Sequence, residues 1–406
     1  MIRRSAIPLY ASMATAALSA MAAGIMVTAL PWFYLSSGGS PAWAGVMAAA
    51  LHFPVAIGLA LGGRVSDRVG PRRTLIVTDV AGLLLIVAGL SSLELSLGVP
   101  WLVLGLIAVA NLLSAPGNIA QSSRVPELAR LARMPLERAN GLQEILVQAA
   151  QVLGPATGVL LVEAGGLNAA LTTAAVLSLV ILILDGALFP GFGRRVPSPS
   201  KNVPANAFLL ILRDRFLRTV VVIGVFLVAV FNSVDEVIAP NLALESGVGG
   251  SALAWFLFAS GASALVSAFA FTYVGHRVPP MTVFISGVWV TASGFVAFAM
   301  LPTEIAFVFA PFLIGAGVGP LWPIVITWIQ RTVPLSLRGE TIGVLSGSVL
   351  LAQPAAALIA GPAVAHLGLD FLLIGTAFLV LAAAALTNVL LRPIADAVPG
   401  KANKPS

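Results

Sequence analysis

Apolar runs of about twenty to thirty residues, parted by short polar links, repeat from one end of the chain to the other. Each run is long enough to cross the hydrocarbon layer of a bilayer as a helix, and few of them carry the polar face that a surface helix of a soluble protein needs. The pattern predicts helices over about 7–35, 42–62, 74–93, 100–122, 139–162 and 167–189, then 219–241, 251–274, 280–301, 303–330, 339–364 and 369–391. These are six spans in 1–190 and six in 219–392, with a tail over 393–406. Between the two sets, 191–218 turns to Pro, Ser and basic residues and reads as a linker exposed to water.

Charge turns this count into a topology. All 22 Lys and Arg residues fall at the ends or in alternate links: Arg3 and Arg4, four in 63–73, four in 124–138, six in 191–218, Arg277, Arg331 and Arg338, and three from Arg392 onward. The links between them carry no basic residue, only acids such as Glu94, Glu245, Glu304 and Asp370. A wrong helix count would scramble that alternation. The positive-inside bias therefore predicts both termini on the cytoplasmic side of a cell membrane, in bacteria the inner one. The net charge of +6 follows from topology, and no nucleic-acid partner is expected.

Composition agrees. Hydrophobic residues make up 59% of 406 and charged residues 9%, with a mean hydropathy of +1.01, against about a quarter charged in a soluble domain. There is no cysteine, and His52, His276 and His366 are scattered, so neither a disulfide nor a metal site is expected. The basic start followed by an apolar run to Leu35 reads as an uncleaved first helix.

The link 63–73 reads Gly-Arg-Val-Ser-Asp-Arg-Val-Gly-Pro-Arg-Arg. It resembles the signature loop between the second and third helices of the major facilitator superfamily, with Gly63, Asp67, Arg68, Gly70, Arg72 and Arg73 at the fixed positions. The resemblance implies an all-α membrane protein of twelve transmembrane helices in two pseudo-symmetric six-helix bundles, with a transport path between the halves that opens to one side at a time. An internal repeat fits: Arg124-Val125-Pro126 to Arg138, then Gly154-Pro155, is echoed by Arg331 to Arg338, then Gln353-Pro354. The resemblance also implies that Asp67 latches the cytoplasmic face against the positive N-terminal end of the helix that begins near Gly339. The arginines either complete that network, meet anionic headgroups or only set topology.

Several polar side chains interrupt the spans. Glu144, Gln148 and Gln151 share one helical face with Pro155, which should look into the bundle or onto the facing half. Gly141, Gly154, Pro155 and Gly158 partly match the glycine-proline motif of exporters in the superfamily, although Ala150 and Val159 stand where glycine is usual. Plain close helix packing explains the same residues. Asn232, Asp235 and Glu236 place two adjacent acids in one span, suited to proton exchange or merely wet at its outer end. Asp79 and Asp185 lie near cytoplasmic helix ends and read first as partners for nearby arginines, with direct coupling as the alternative. Trp255, Phe256, Phe258, Trp322 and Trp328 suit either a lipophilic pocket or packing.

No nucleotide loop, hydrolase elbow or metal helix is present, so no enzyme activity or cofactor is expected. With Pro31-Trp32 to Gly39-Ser40, His52-Phe53-Pro54, Asp67-Arg68 with Arg72-Arg73, Asp79, and Ala139-Asn140-Gly141 with Gly154-Pro155, the chain resembles the drug:proton antiporter branch that includes macrolide efflux proteins. That resemblance implies a monomer that expels lipophilic small molecules in exchange for protons, with membrane lipids around it. Within the same superfamily a lipid or siderophore transporter is the alternative; a non-transporting sensor or intramembrane enzyme is a third. Helix 1 carries no acid, so proton coupling must use Glu144, Asp235 or Glu236.

Overall fold

The computed structural model describes residues 6–94, 100–188, 205–275 and 278–397. Among these residues there are helices and short turns and no strand. In hydrocarbon a helix satisfies every backbone group within itself, so a chain of apolar runs has little other choice. The outer surfaces are greasy to match: Val77 is 63% exposed, Ile359 71% and Phe378 69%.

The chain divides into two compact units, Met1–Ser200 and Lys201–Ser406. The first contains α1 (Ile7–Ser36), α2 (Pro41–Val69), α3 (Pro71–Glu94), α4 (Pro100–Ser122), α5 (Val125–Leu131) and α6 (Leu136–Leu188). The second contains α7 (Ala205–Arg213), α8 (Arg215–Ser233), α9 (Ala239–Glu245), α10 (Gly249–Val274), α11 (Pro280–Met300), α12 (Thr303–Val318), α13 (Leu321–Thr332), α14 (Leu335–Leu367) and α15 (Leu369–Ala397). A π-helical turn, Val234–Ile238, joins α8 to α9.

Eleven helical stretches among the described residues are long and apolar enough to cross a membrane. The longest is two spans in one: α6 breaks at Gly165 (φ −154°) and Gly166 (φ +66°), which brings the count to the twelve that the hydropathy pattern predicts. Glycine is needed there because a left-handed backbone costs any other residue a clash at Cβ. Gly368, with φ +82°, separates α14 from α15 in the same way.

The same packing scheme recurs in both units. In the first, α1 packs on α6, α2 on α4, α3 on α4 and α3 on α6. In the second, α8 packs on α14, α10 on α12, α11 on α12 and α11 on α15. Small residues set how closely these helices approach. A Cβ on Gly154 would stand 2.9 Å from the Met21 carbonyl, and one on Gly158 would stand 2.6 Å from that of Ile25. Gly315 on α12 and Gly319 just past its end lie against the backbone of Ser260 and Ala264 on α10.

Three boundaries differ from the hydropathy reading. The link 63–73 is not an open hairpin: α2 runs on to Val69 and only Gly70, at φ +94°, separates it from Pro71 at the start of α3. Arginines do not break a helix that has left the bilayer, so the charges ride on its last turns. The end of the linker is helical as well, as α7 and the first turn of α8, where Asp214 caps the helix by accepting a hydrogen bond from the Leu217 N–H at 2.9 Å. The segment after α4 is more than a surface strip. Val125, Leu128 and Ala129 of α5 are buried in a core with Leu9, Met13, Leu75, Ala120 and Ala139.

Candidate functional site

Beside that apolar core, four helices of the first unit bring polar side chains into one buried cluster. Ser12 and Thr15 come from α1, Asp79 from α3, Gln121 from the last turn of α4, Arg124 from the α4–α5 junction and Asp185 from the last turn of α6. All but the half-buried Asp79 are buried, Asp185 to 1% exposure and Arg124 to 4%. Gln121 Nε2 donates to the Ser12 carbonyl at 3.1 Å and to Thr15 Oγ1 at 2.6 Å. Thr15 in turn gives its hydroxyl hydrogen to the Ser12 carbonyl at 3.2 Å. The carboxyls of Asp79 and Asp185 face each other, and Arg124 lies within electrostatic reach of Asp185, Glu127 and Arg72. Neither oxygen of Asp185 and not Oδ2 of Asp79 accepts a hydrogen bond.

The residues singled out from the sequence distribute differently. Glu144 and Gln151 are exposed, and Gln148 Nε2 reaches Glu144 Oε1 at 2.8 Å, so this face of α6 is not packed into its own unit. Gly154, Pro155 and Gly158 meet α1, where Thr28 Oγ1 lies 3.0 Å from the Pro155 carbonyl; Gly141 is exposed with open space around it. Arg68, Arg72 and Arg73 are exposed. The side chains at Gly63, Asp67 and Gly339 lie outside the described residues, as does His276.

In the second unit the two adjacent acids sit on the π-helical turn. Glu236 is 9% exposed and Asp235 half-buried, so the pair is less wet than a position near the helix mouth suggests. The turn packs against α14 and α15. Asn232 bonds back along its own helix, donating to the Val228 carbonyl at 2.8 Å. A π turn widens the helix by one residue, is rare, and is frequently found at functional sites. Trp255 lies 6.1 Å from Phe258 and 6.0 Å from Phe312 in a partly exposed aromatic group, whereas Phe256 is packed among Phe298 and Phe307. Trp328 stacks on Phe216 at 4.6 Å.

Two features escaped the sequence. Trp32 Nε1 donates to Glu163 Oε1 at 3.0 Å, tying α1 to the first arm of α6. The convergence of Asp79, Asp185 and Arg124 was half visible: all three lie near helix ends on one side of the predicted topology. Which ends touch was not.

Twelve apolar helices in two units that repeat one packing scheme, with charged side chains buried inside, are the architecture of a polytopic membrane protein. The chain belongs to the Major Facilitator Superfamily, whose profile matches residues 13–353. It is 28% identical to the multidrug efflux pump Tap of Mycobacterium tuberculosis (strain ATCC 25618 / H37Rv) over 351 residues, 84% of this chain and 83% of that protein. It is 26% identical to Tap of Mycolicibacterium fortuitum over 352 residues, 84% of this chain and 85% of the relative. Among solved structures, the nucleoside transporter NupG superposes with a TM-score of 0.74 at 13% identity, covering 96% of this chain and 99% of NupG. A D-xylose-proton symporter gives 0.66 at 17% identity, covering 94% and 96%. At these identities the structural likeness speaks for the fold alone.

Proposed function

We propose that the protein exports lipophilic small molecules, drugs or metabolites, by proton antiport with alternating access. The observation that carries this reading is the similarity to multidrug efflux pumps over more than four fifths of both chains. The polar inventory supports it. Acids inside spans are expensive, and transporters keep them where protons or substrates pass. Asp235 and Glu236 on the π turn and Glu144 with Gln148 and Gln151 on α6 are the groups assigned to coupling or substrate, with Asn232 beside the first pair. Gly63, Asp67 and Gly70 are assigned the gating role of the family motif. Arg68, Arg72 and Arg73, on the cytoplasmic side by the positive-inside bias, meet anionic headgroups.

Ethidium efflux from energised cells tests the reading. A protonophore is expected to abolish efflux, and Asp235→Asn and Glu144→Gln to slow it. Efflux indifferent to the protonophore would sink antiport; wild-type rates in both variants would sink the assignment of these carboxylates.

A further inference from the structure

We propose that Asp79 and Asp185 form a proton-binding site inside the first unit, holding one proton between their carboxyls with Arg124 as the fixed countercharge, and that this proton is one the exporter exchanges. The inference rests on the antiport reading above and takes up the second of the two readings that the sequence left open for these acids.

Geometry and charge carry it. Among the described residues, two carboxylates and one guanidinium are grouped where Asp185 is 1% and Arg124 4% exposed, so the buried negative charge exceeds the buried positive charge by one. A buried net charge is costly, and one added proton removes it. Three of the four carboxyl oxygens accept no hydrogen bond from the protein, so an acceptor is ready for an O–H from the neighbouring carboxyl. Thr15, whose Oγ1 lies 3.2 Å from the Ser12 carbonyl, is also within hydrogen-bonding reach of Asp185 and holds that carboxyl in place.

The surroundings select a proton over a metal cation. A cation would want a cage of carbonyl and carboxylate oxygens. Here the guanidinium of Arg124, a cation that only donates, stands within electrostatic reach of Asp185 and repels a metal ion. Among the described residues, α1 offers the hydroxyls of Ser12 and Thr15, α3 adds Arg72, α6 adds Asp185, α4 adds Gln121, and the α4–α5 junction adds Arg124 with Glu127 beyond it.

Loading is a plain proton transfer. A proton from water joins one carboxylate oxygen and is shared in an O–H···O bond with the other carboxyl; on release it returns to water. The charge left behind then pulls on Arg124 and Arg72. Arg124 sits where α4 turns into α5 and Arg72 in the first turn of α3, beside Gly70. Proton occupancy is thereby tied to the position of the helix ends around the family's gating link.

Infrared difference spectra of the purified protein between acid and alkaline pH, together with ethidium efflux from proteoliposomes under an imposed pH gradient, test the site. The wild type is expected to show a protonated-carboxyl component that is missing from both Asp79→Asn and Asp185→Asn and retained in Asp235→Asn. Both Asn variants are expected to let ethidium run down its own gradient while the pH gradient no longer accelerates it. If one variant fails to fold, the other carries the test. An unchanged infrared component with wild-type pH stimulation in a folded variant would overturn the site, and so would stimulation by sodium that vanishes in the variants. If wild-type efflux ignores the pH gradient while the component disappears as expected, the antiport reading falls and the proton site stands.

Discussion

The two units repeat one packing scheme yet fill the same region of it with opposite chemistry. Asp79 lies eight positions after Pro71, the first residue of α3; the residue eight positions after Pro280, the first of α11, is Val288, fully buried. Asp185 lies nineteen positions after the left-handed Gly166, and nineteen after the left-handed Gly368 is Thr387, which satisfies itself on the Ala383 carbonyl at 2.7 Å. Around them the first unit places Arg124, Gln121 and Thr15. The second places Phe216, with Phe284 and Trp328 at ring distances of 5.8 and 4.6 Å. A duplicated scaffold needs its helix ends filled, and aromatic packing does that without charge. The first unit retains a group that packing alone does not require, which is the reason to assign it a function.

The comparison can be broken by removing its two kinds of filling. Arg124→Leu strands Asp79 and Asp185 without a countercharge and is expected to destabilise the protein by about 3–5 kcal/mol, the range for removing one partner of a buried ion pair. In a detergent-solubilised thermal melt this is a large fall in midpoint. Arg331→Leu, at the echoed but exposed position, should leave the midpoint within error. Phe216→Ala opens a cavity where the side chain is 1% exposed and should cost on the order of 3 kcal/mol, because the cavity term survives in a bilayer. Equal melts for Arg124→Leu and Arg331→Leu would erase the distinction between the units.

Smaller changes sharpen the comparison. Gly158→Val places a Cβ 2.5 Å from Thr28 Oγ1 and 2.6 Å from the Ile25 carbonyl. Forcing α1 and α6 apart should cost roughly 1–3 kcal/mol, the usual range for overpacking, and lower the melting midpoint. Gly141→Val on the same helix, with open space around it, should not. Trp32→Phe removes the hydrogen bond to Glu163 and should cost about 1 kcal/mol, a small midpoint shift that Glu163→Gln largely avoids.

How much of this was legible in the sequence follows from what each signal encodes. Hydropathy and the one-sided basic residues specify how many times the chain crosses the membrane, and the structure has those twelve spans once α6 is broken at Gly165 and Gly166. Periodicity placed Glu144 and Gln148 on one face, and they do meet at 2.8 Å. Helix ends are encoded weakly, since Arg and Asp tolerate a helix in water; hence the link 63–73 is mostly helical. The π turn under Asp235 and Glu236 packs on α14 and α15 and runs into Pro240, whose missing N–H and ring bulk disturb the α register four residues back, a signal that hydropathy does not read. The Asp79–Asp185 pair lies 106 residues apart in the chain, and only the way α3 meets α6 brings the two acids together.

The central claim, export driven by protons, is tested most directly with ethidium in proteoliposomes carrying the purified protein. An imposed pH gradient should drive ethidium against its own concentration gradient, opposite to the proton flow, and collapsing the pH gradient should return it to equilibrium. Ethidium movement that never exceeds equilibrium, and keeps the same rate with the pH gradient present or collapsed, would contradict the account.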